Sequence, residues 1–268
     1  MNSSSAPNSK ARISCIICAF NEAPRIAAVL AVASVHPLLH EVIVVDDGST
    51  DRTAEIVKCF TSVKFITYEE NRGKSFAMAT GVAAAKCDLL MLLDADLAGL
   101  VAEDITALAT PVLSGVTDVS LSLRQNSLLI FRAIGLDFVS GERVIRKELL
   151  SEALEEIYGL PRFGIEVFMN RKIVARRLSI SVVHWPRVTQ TRKTEKLGYW
   201  KGIRAEWRMI IDLLQVAYPI LLISQTYHLL SLRTNHAGTI GSVVRRVMPQ
   251  YKVYLRSMLA RLIAHQKS

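Results

Sequence analysis

Asp88-Leu89-Leu90-Met91-Leu92-Leu93-Asp94-Ala95-Asp96 is an apolar run closed by two carboxylates one residue apart. A short apolar run of this kind reads as a buried strand. Ending it in two like charges is costly, because they repel and desolvation penalises both charged forms. A divalent cation held between carboxylate and phosphate oxygens is the natural compensation. The D-x-D triplet alone is a weak signal, since such triplets also occur on solvated loops. Its weight comes from the residues upstream.

Three more strand-like runs precede it, and helix-like text separates the four. Ile13-Ser14-Cys15-Ile16-Ile17-Cys18 is the first, with Pro24 placed where a helix begins. Glu41-Val42-Ile43-Val44-Val45 runs into Asp46-Asp47-Gly48-Ser49-Thr50-Asp51, whose last three residues are N-cap types for a helix through Ala54, Ile56 and Val57. Val63-Lys64-Phe65-Ile66-Thr67 is the third, and the next helix starts near Gly73-Lys74. Strand and helix alternating at this spacing indicate a parallel sheet covered on both faces. Ligands of such sheets bind at the carboxyl ends of the strands. Ala19-Phe20-Asn21-Glu22, Asp46-Asp47, Asn71-Arg72-Gly73-Lys74 and Asp94-Ala95-Asp96 all fall there, so a polar, partly anionic cleft is expected over an apolar sheet.

Those four blocks, in that order and spacing, resemble the family 2 glycosyltransferases of GT-A fold, over roughly residues 13–100 and more weakly to about residue 205. Leu93-Asp94-Ala95-Asp96-Leu97 and Ser140-Gly141-Glu142-Arg143-Val144-Ile145-Arg146 are similar to the dolichyl-phosphate mannosyltransferase type. The resemblance implies an α/β nucleotide-diphospho-sugar transferase fold and an inverting transferase using Mg²⁺ or Mn²⁺ and a UDP- or GDP-linked sugar. By that likeness Asp47 contacts the base or ribose, and Lys74 lies near the nucleotide. Ala19, Asn21, Glu22 and Ala95 line the donor site, and Asp94 and Asp96 serve the metal and diphosphate. Two departures stand out: Ala98 where polyprenyl-phosphate transferases usually carry a metal-side Gln, and Ser75 where they usually show Gly. His184 is either a replacement ligand, as in GT-A enzymes that complete the metal site with a distant His, or an ordinary strand-end histidine.

The chemistry can be argued independently. A departing sugar diphosphate develops about two negative charges, which a cation and Lys or Arg must stabilise. Asp94 and Asp96 are the residues to position the cation, and Lys74 with Arg143 or Arg146 are candidate phosphate partners. A hydroxyl acceptor needs a carboxylate to take its proton. Glu166, in apolar surroundings at a helix start, is the candidate base; otherwise it is a helix N-terminal acid facing the dipole. A phosphate acceptor needs no base.

Other motifs fail on spacing. Gly73-Lys74-Ser75 resembles the end of a P-loop, but the glycine needed five residues before Gly73 is Tyr68. No G-x-G-x-x-G follows the first strand, which argues against a dinucleotide-binding dehydrogenase. Cys15 and Cys18, three apart on a strand, point to opposite faces and read as core residues. With four cysteines and no secretory signal, a reducing cytosolic compartment is expected.

Charge is unevenly distributed. Residues 1–139 hold 11 Lys+Arg and 15 Asp+Glu, while residues 140–268 hold 22 and 9, a net of +13. A basic half suggests an anionic surface or acceptor, and without a nucleic-acid-binding motif membrane phospholipid fits better. Leu213 to Leu232 carries no formal charge, and Val243 to Ile263 alternates apolar and cationic residues at helical spacing. Helices lying in the bilayer interface, a soluble helical hairpin, and a transmembrane span are the three readings of this tail. The basic stretch Arg187 through Lys201 is a linker, read as a lid over a phosphate or as a solvated loop. The expected organisation is a flexible segment 1–10, a catalytic domain 11–205 and a helical tail 206–268. The resemblance and the tail together imply a transferase at the cytoplasmic membrane face with a lipid-linked or polyprenyl-phosphate acceptor. The alternatives are a soluble transferase with a small or polysaccharide acceptor, and a non-catalytic nucleotide-sugar-binding scaffold at the membrane.

Overall fold

The structure, a computed structural model, describes residues 12–160, 164–190 and 219–234. Segment 1–10, the boundary at residue 205 and the helical text at 243–263 lie outside the described residues. The elements run β1 (Ile13–Ala19), α1 (Ile26–Ala33), β2 (Leu39–Asp46), α2 (Thr53–Lys58), β3 (Val63–Thr67), α3 (Lys74–Ala84) and β4 (Leu89–Asp94). There follow β5 (Leu97–Ala98), α4 (Ala102–Leu113), β6 (Val119–Arg124), α5 (Leu129–Ile134), β7 (Arg143–Arg146), α6 (Glu148–Ser151) and α7 (Leu154–Tyr158). The last are α8 (Gly164–Ala175), β8 (Ile180–Trp185), β9 (Thr189–Gln190) and a helix here called α9 (Pro219–Ser231).

Seven strands form one sheet in the order β3-β2-β1-β4-β7-β6-β8, and β5 pairs with β9 in a small second sheet. The first four strands are parallel, as are β6 and β8; β7 runs antiparallel to both its neighbours. This is the expected doubly covered, mostly parallel α/β sheet of the GT-A type.

Side-chain alternation along each strand divides the interior into two layers. Cys15, Ile17, Val44, Met91 and Leu93 pack under α1, α2 and α4, with Trp185 in the same layer. Ile16, Ile43, Val45, Leu90 and Leu92 pack under α3 and α6–α8. Cys15 and Cys18 accordingly join opposite layers, and all four cysteines are free. A sheet buried on both sides explains why its strands read as near-continuous apolar runs.

The antiparallel setting of β7 matters most for the cleft. Leu92 is opposite Arg143 and Leu89 opposite Arg146. The beginning of β7, not its end, therefore lies beside Asp94. It carries Ser140, Gly141 and Glu142 to the edge where the parallel strands finish.

Helix α9 belongs to the same layer as α8. Leu229 is buried in the α3/α8 core, and the Gln225 side chain donates to the Val167 carbonyl at 3.0 Å. Beyond the helix, Ile180 N–H donates to the Leu232 carbonyl at 3.0 Å, and Arg233 bridges β8. Among the described residues, no helix is long and apolar enough to cross a membrane. Leu229→Ala is expected to lower stability by about 2–3 kcal/mol, the cost of a core leucine truncation. Urea unfolding in lipid- and detergent-free buffer measures it; an unchanged midpoint would mean that α9 is not part of the folded core.

Candidate active site

Six elements deliver polar side chains to the carboxyl edge of the sheet. Lys74 is the first residue of α3, Asp94 ends β4, Arg124 ends β6, Glu142 precedes β7, Glu166 lies in the first turn of α8, and Gln190 ends β9. The Lys74 ammonium is 2.9 Å from Asp94 Oδ1 and 2.8 Å from Glu166 Oε1. Burial alone would lower the Lys74 pKa, but Asp94 and Glu166 more than offset this and hold it well above its ordinary value. Burial likewise pushes Asp94 up, and Lys74 and Arg124 pull it below the usual aspartate value. Glu166 is 2 % exposed, and its second oxygen, Oε2, is buried without a hydrogen-bond partner.

Arg124 forms the opposite wall. Its guanidinium is 2.5 Å from Glu142, 3.6 Å from Asp137 and 3.9 Å from Asp94. Burial would lower its pKa; these carboxylates raise it. Glu142, fully buried, also accepts hydrogen bonds from Ser122 and Ser140 at 2.7 Å each. Burial and the nearby Asp94 charge raise its pKa against the pull of Arg124. Among the described residues, Lys74, Arg124 and Arg143 thus stand with Asp94, Asp137, Glu142 and Glu166 in one desolvated charge cluster.

Two contacts shape the carboxylate pair. A Cβ on Gly141 would lie 2.5 and 2.8 Å from the Asp94 oxygens, so only glycine lets the β7 approach pass Asp94. The Gln190 amide nitrogen donates to Asp94 Oδ2 at 3.2 Å and to Asp96 Oδ1 at 3.0 Å. One point is therefore within reach of both aspartates.

The remaining expected donor-site residues build the neighbouring loops. Both Asp47 oxygens accept backbone N–H groups, of Arg72 and Gly73, at 2.8 Å each, while the Asp47 N–H donates to the Ala19 carbonyl at 2.8 Å. Asn21, at φ 56°, accepts at Oδ1 from Thr50 N–H at 2.9 Å, and its own N–H donates to Ser49 at 2.9 Å. Glu22 N–H donates to Thr53 at 2.9 Å, and its carboxylate pairs with Arg25 at 2.5 Å. Ala95 is buried between the two aspartates. Asp47, Asn21 and Glu22 thus lock three loops together around the cleft.

Residues 14–122 match the model of the family "Glycosyl transferase family 2". The poly-beta-1,6-N-acetyl-D-glucosamine synthase of Staphylococcus epidermidis is 38% identical over 88 residues, 31% of this chain and 21% of that protein. Succinoglycan biosynthesis protein ExoU of Rhizobium meliloti is 38% identical over 85 residues, 30% of this chain and 25% of its own length. The chain thus spans only a quarter or less of these curated relatives. Among solved structures, glucosyl-3-phosphoglycerate synthase from Mycobacterium tuberculosis, in complex with Mn²⁺, UDP and glucosyl-3-phosphoglycerate, superposes with a TM-score of 0.57. The match has 23% sequence identity and covers 77% of this chain and 80% of that one. The likeness to glycosyl transferase family 2 thus lies in residues 14–122.

The donor set at the cleft suits a hard cation. The convergence of two aspartates on one point fits Mg²⁺ or Mn²⁺, ions that take one or two carboxylates and leave room for phosphate oxygens. Three expected site residues do not fit. His184 is exposed on β8, three strands from β4; at about 4.8 Å per strand it is roughly 14 Å away, too far to share an ion with Asp94. Among the described residues no three His, Cys, Asp or Glu side chains form a metal-binding group. Arg146 is exposed at the opposite end of β7, beside Leu89 and about 16 Å along the sheet from Asp94. Arg143 is fully buried, and its guanidinium is engaged by the Ser140 carbonyl at 2.5 Å and Asn170 Oδ1 at 3.0 Å. It ties the β7 approach to α8 and is no phosphate partner. Arg124 and Gln190 went unseen because only the tertiary fold brings them to Asp94. A Gly just before a Glu-Arg pair at the start of β7 was the one local sign of a close approach.

Lys74→Met is expected to cost roughly 3 kcal/mol of stability, the low end for removing one partner of a buried pair because the Lys74 side chain is a third exposed. Lys74→Arg, which keeps a cation between Asp94 and Glu166, is expected to recover part of it. Urea titrations in chelator measure both. Equal midpoints for Lys74→Met and wild type would show that the ammonium carries no net stability.

Proposed function

We propose that the chain is a metal-dependent, inverting glycosyltransferase that moves a sugar from a nucleoside diphosphate to an acceptor. The observation that carries this reading is the single ammonium of Lys74 shared by Asp94, at the carboxylate pair, and Glu166, whose second oxygen has no hydrogen-bond partner. That arrangement sets a diphosphate-side carboxylate and a candidate base on either side of one cation.

Asp94 and Asp96 are the residues to hold Mg²⁺ or Mn²⁺, which supplies positive charge to the departing diphosphate. Lys74 has three N–H bonds; two meet Asp94 and Glu166, which leaves one for a phosphate oxygen. Asp47, with Asn21 and Glu22, holds the loops that frame the nucleoside. Glu166 Oε2 is an open acceptor for the proton of an attacking hydroxyl, and Lys74 orients the carboxylate through its other oxygen. The solved glucosyl-3-phosphoglycerate synthase complexes contain UDP-glucose, Mn²⁺ and phosphoglyceric acid, which supports a uridine donor first and a phosphorylated acceptor.

The acceptor is read as anionic and lipid-linked, a polyprenyl phosphate met at the cytoplasmic face of the membrane. The net charge of +13 over residues 140–268 and the charge-free stretch 213–232 support it. One observation favours a soluble acceptor instead: the described part of that stretch is seated on α8, with Leu229 in the core. The scaffold alternative is disfavoured by the retained Asp94, Asp96, Lys74 and Glu166.

Thermal unfolding with UDP or GDP, with and without Mn²⁺, tests the donor site, since a ligand of the native state raises stability by mass action. A metal-dependent rise with one nucleotide is expected. Asp96→Ala, and Gly141→Ala through displacement of Asp94, are each expected to abolish that rise while the apo proteins remain folded. No rise with either nucleotide in well-folded wild type would sink the reading.

Glu166→Gln separates the acceptors. With a hydroxyl acceptor, turnover is expected to drop by about 10²–10⁴-fold. With a phosphate acceptor, which needs no base, it is expected to change by less than about tenfold. Transfer to polyprenyl phosphate and to 3-phosphoglycerate, measured side by side, reads this directly.

A further inference from the structure

We propose that Gln190 is the third protein ligand of the cation, its carboxamide turning over so that Oε1 replaces Nε2 at the carboxylate pair. The inference rests on the metal-dependent reading of Asp94 and Asp96. Gln190 Nε2 is within hydrogen-bond reach of both aspartates, 3.2 Å from Asp94 Oδ2 and 3.0 Å from Asp96 Oδ1. An N–H directed at those oxygens presents its positive end to any cation they would hold. Arrival of the cation therefore obliges the amide either to leave or to turn.

The backbone around Gln190 opposes leaving. Leu97 pairs with Gln190 and Ala98 with Thr189 across the β5–β9 ladder. Asn126 clamps the same residue from the other side, its side-chain nitrogen donating to the Gln190 carbonyl at 2.7 Å and its oxygen accepting the Gln190 N–H at 3.1 Å. A Cβ on Gly99 would come within 2.6 Å of the Arg187 carbonyl, so the turn after β5 lies directly against the β8–β9 connection. Rotation about the terminal side-chain torsion is broad and costs little. It exchanges a donor for a neutral oxygen at nearly the same place, and a carboxamide oxygen is a suitable ligand for a hard cation.

The register supplies a second argument: the strand hydrogen-bonded to Ala98 brings a glutamine to the carboxylate pair from a residue 94 positions beyond Asp96. His184, six residues earlier, is on the wrong strand to reach that pair.

The test is Mn²⁺ binding, read by electron paramagnetic resonance of free Mn²⁺ and by calorimetry, with UDP and separately with GDP. Wild type, Gln190→Ala, Gln190→Glu and Asp96→Asn are compared. Gln190→Ala is expected to weaken Mn²⁺ binding by about tenfold or more, and Gln190→Glu to bind at least as tightly as wild type. In chelator, Gln190→Glu is expected to melt below wild type, because it adds a third carboxylate, and to gain more from Mn²⁺. Gln190→Ala with wild-type affinity, or Gln190→Glu as weak as Gln190→Ala, overturns the proposal; the latter would show that Gln190 acts only as a donor that positions the aspartates. Wild type that binds no Mn²⁺ with either nucleotide overturns the underlying metal reading as well.

Discussion

The Lys74 ammonium, shared by Asp94 and Glu166, ties three elements of this chain to one another: the start of α3, the end of β4 and the first turn of α8. Burying a carboxylate is costly without a paired charge, and one ammonium partners both. The same constraint is repeated next door, where Arg124 joins the end of β6 to Glu142 before β7 and to Asp137. Two cations thus organise the whole carboxyl edge. Burial is the chief reason that the Glu142 pKa is raised, with the Asp94 charge adding to it against the pull of Arg124.

The geometry depends on one reversal of chain direction. Had β7 been parallel to β4, its Ser-Gly-Glu approach would lie at the amino edge, far from Asp94. Because it is antiparallel, the approach passes so close that Gly141 has no room for a side chain. Glu142 is then delivered under Arg124, and Arg143 is turned inward to clamp Ser140 and α8. A buried arginine with its fork spent on a carbonyl and an amide is a structural rivet whose charge is felt by the carboxylates around it.

This reversal also explains what could be read from the linear chain. The four leading strands and their helices were legible because each segment is self-describing: apolar alternation buries Cys15 and Ile16 in opposite layers, and a parallel strand places its last residues at the ligand edge. Asp94, Asp96, Lys74 and Glu166 followed from that rule and from their chemistry. Arg146 was misread because strand direction is not written in a four-residue run, and Arg143 because its burial against Ser140 and Asn170 is a tertiary contact. His184 was misread because the order β4-β7-β6-β8 puts two strands between neighbours in chemistry. Arg124 and Gln190 carry no local mark at all. Gln190 meets Asp94 across 96 residues of chain, through a ladder of two residues a side.

The basic second half reads differently once the strands are placed. Arg143 is internal, its guanidinium spent on Ser140 and Asn170, and Arg146 is exposed at the far end of β7, so neither is offered to an incoming anion. Arg124, which does stand beside Asp94, belongs to the acidic first half. The local charge at the cleft is thus set by single residues at strand ends, and the net charge of the half says nothing about it. What the excess of Lys and Arg can govern is a longer-range encounter with an anionic acceptor or surface, which ionic strength would screen over about 10 Å. Chemistry at the Asp94 pair and attraction to the acceptor are therefore separable properties of this chain. The first is carried by contacts shorter than 4 Å, which salt screens much less; the second would fall away as salt rises.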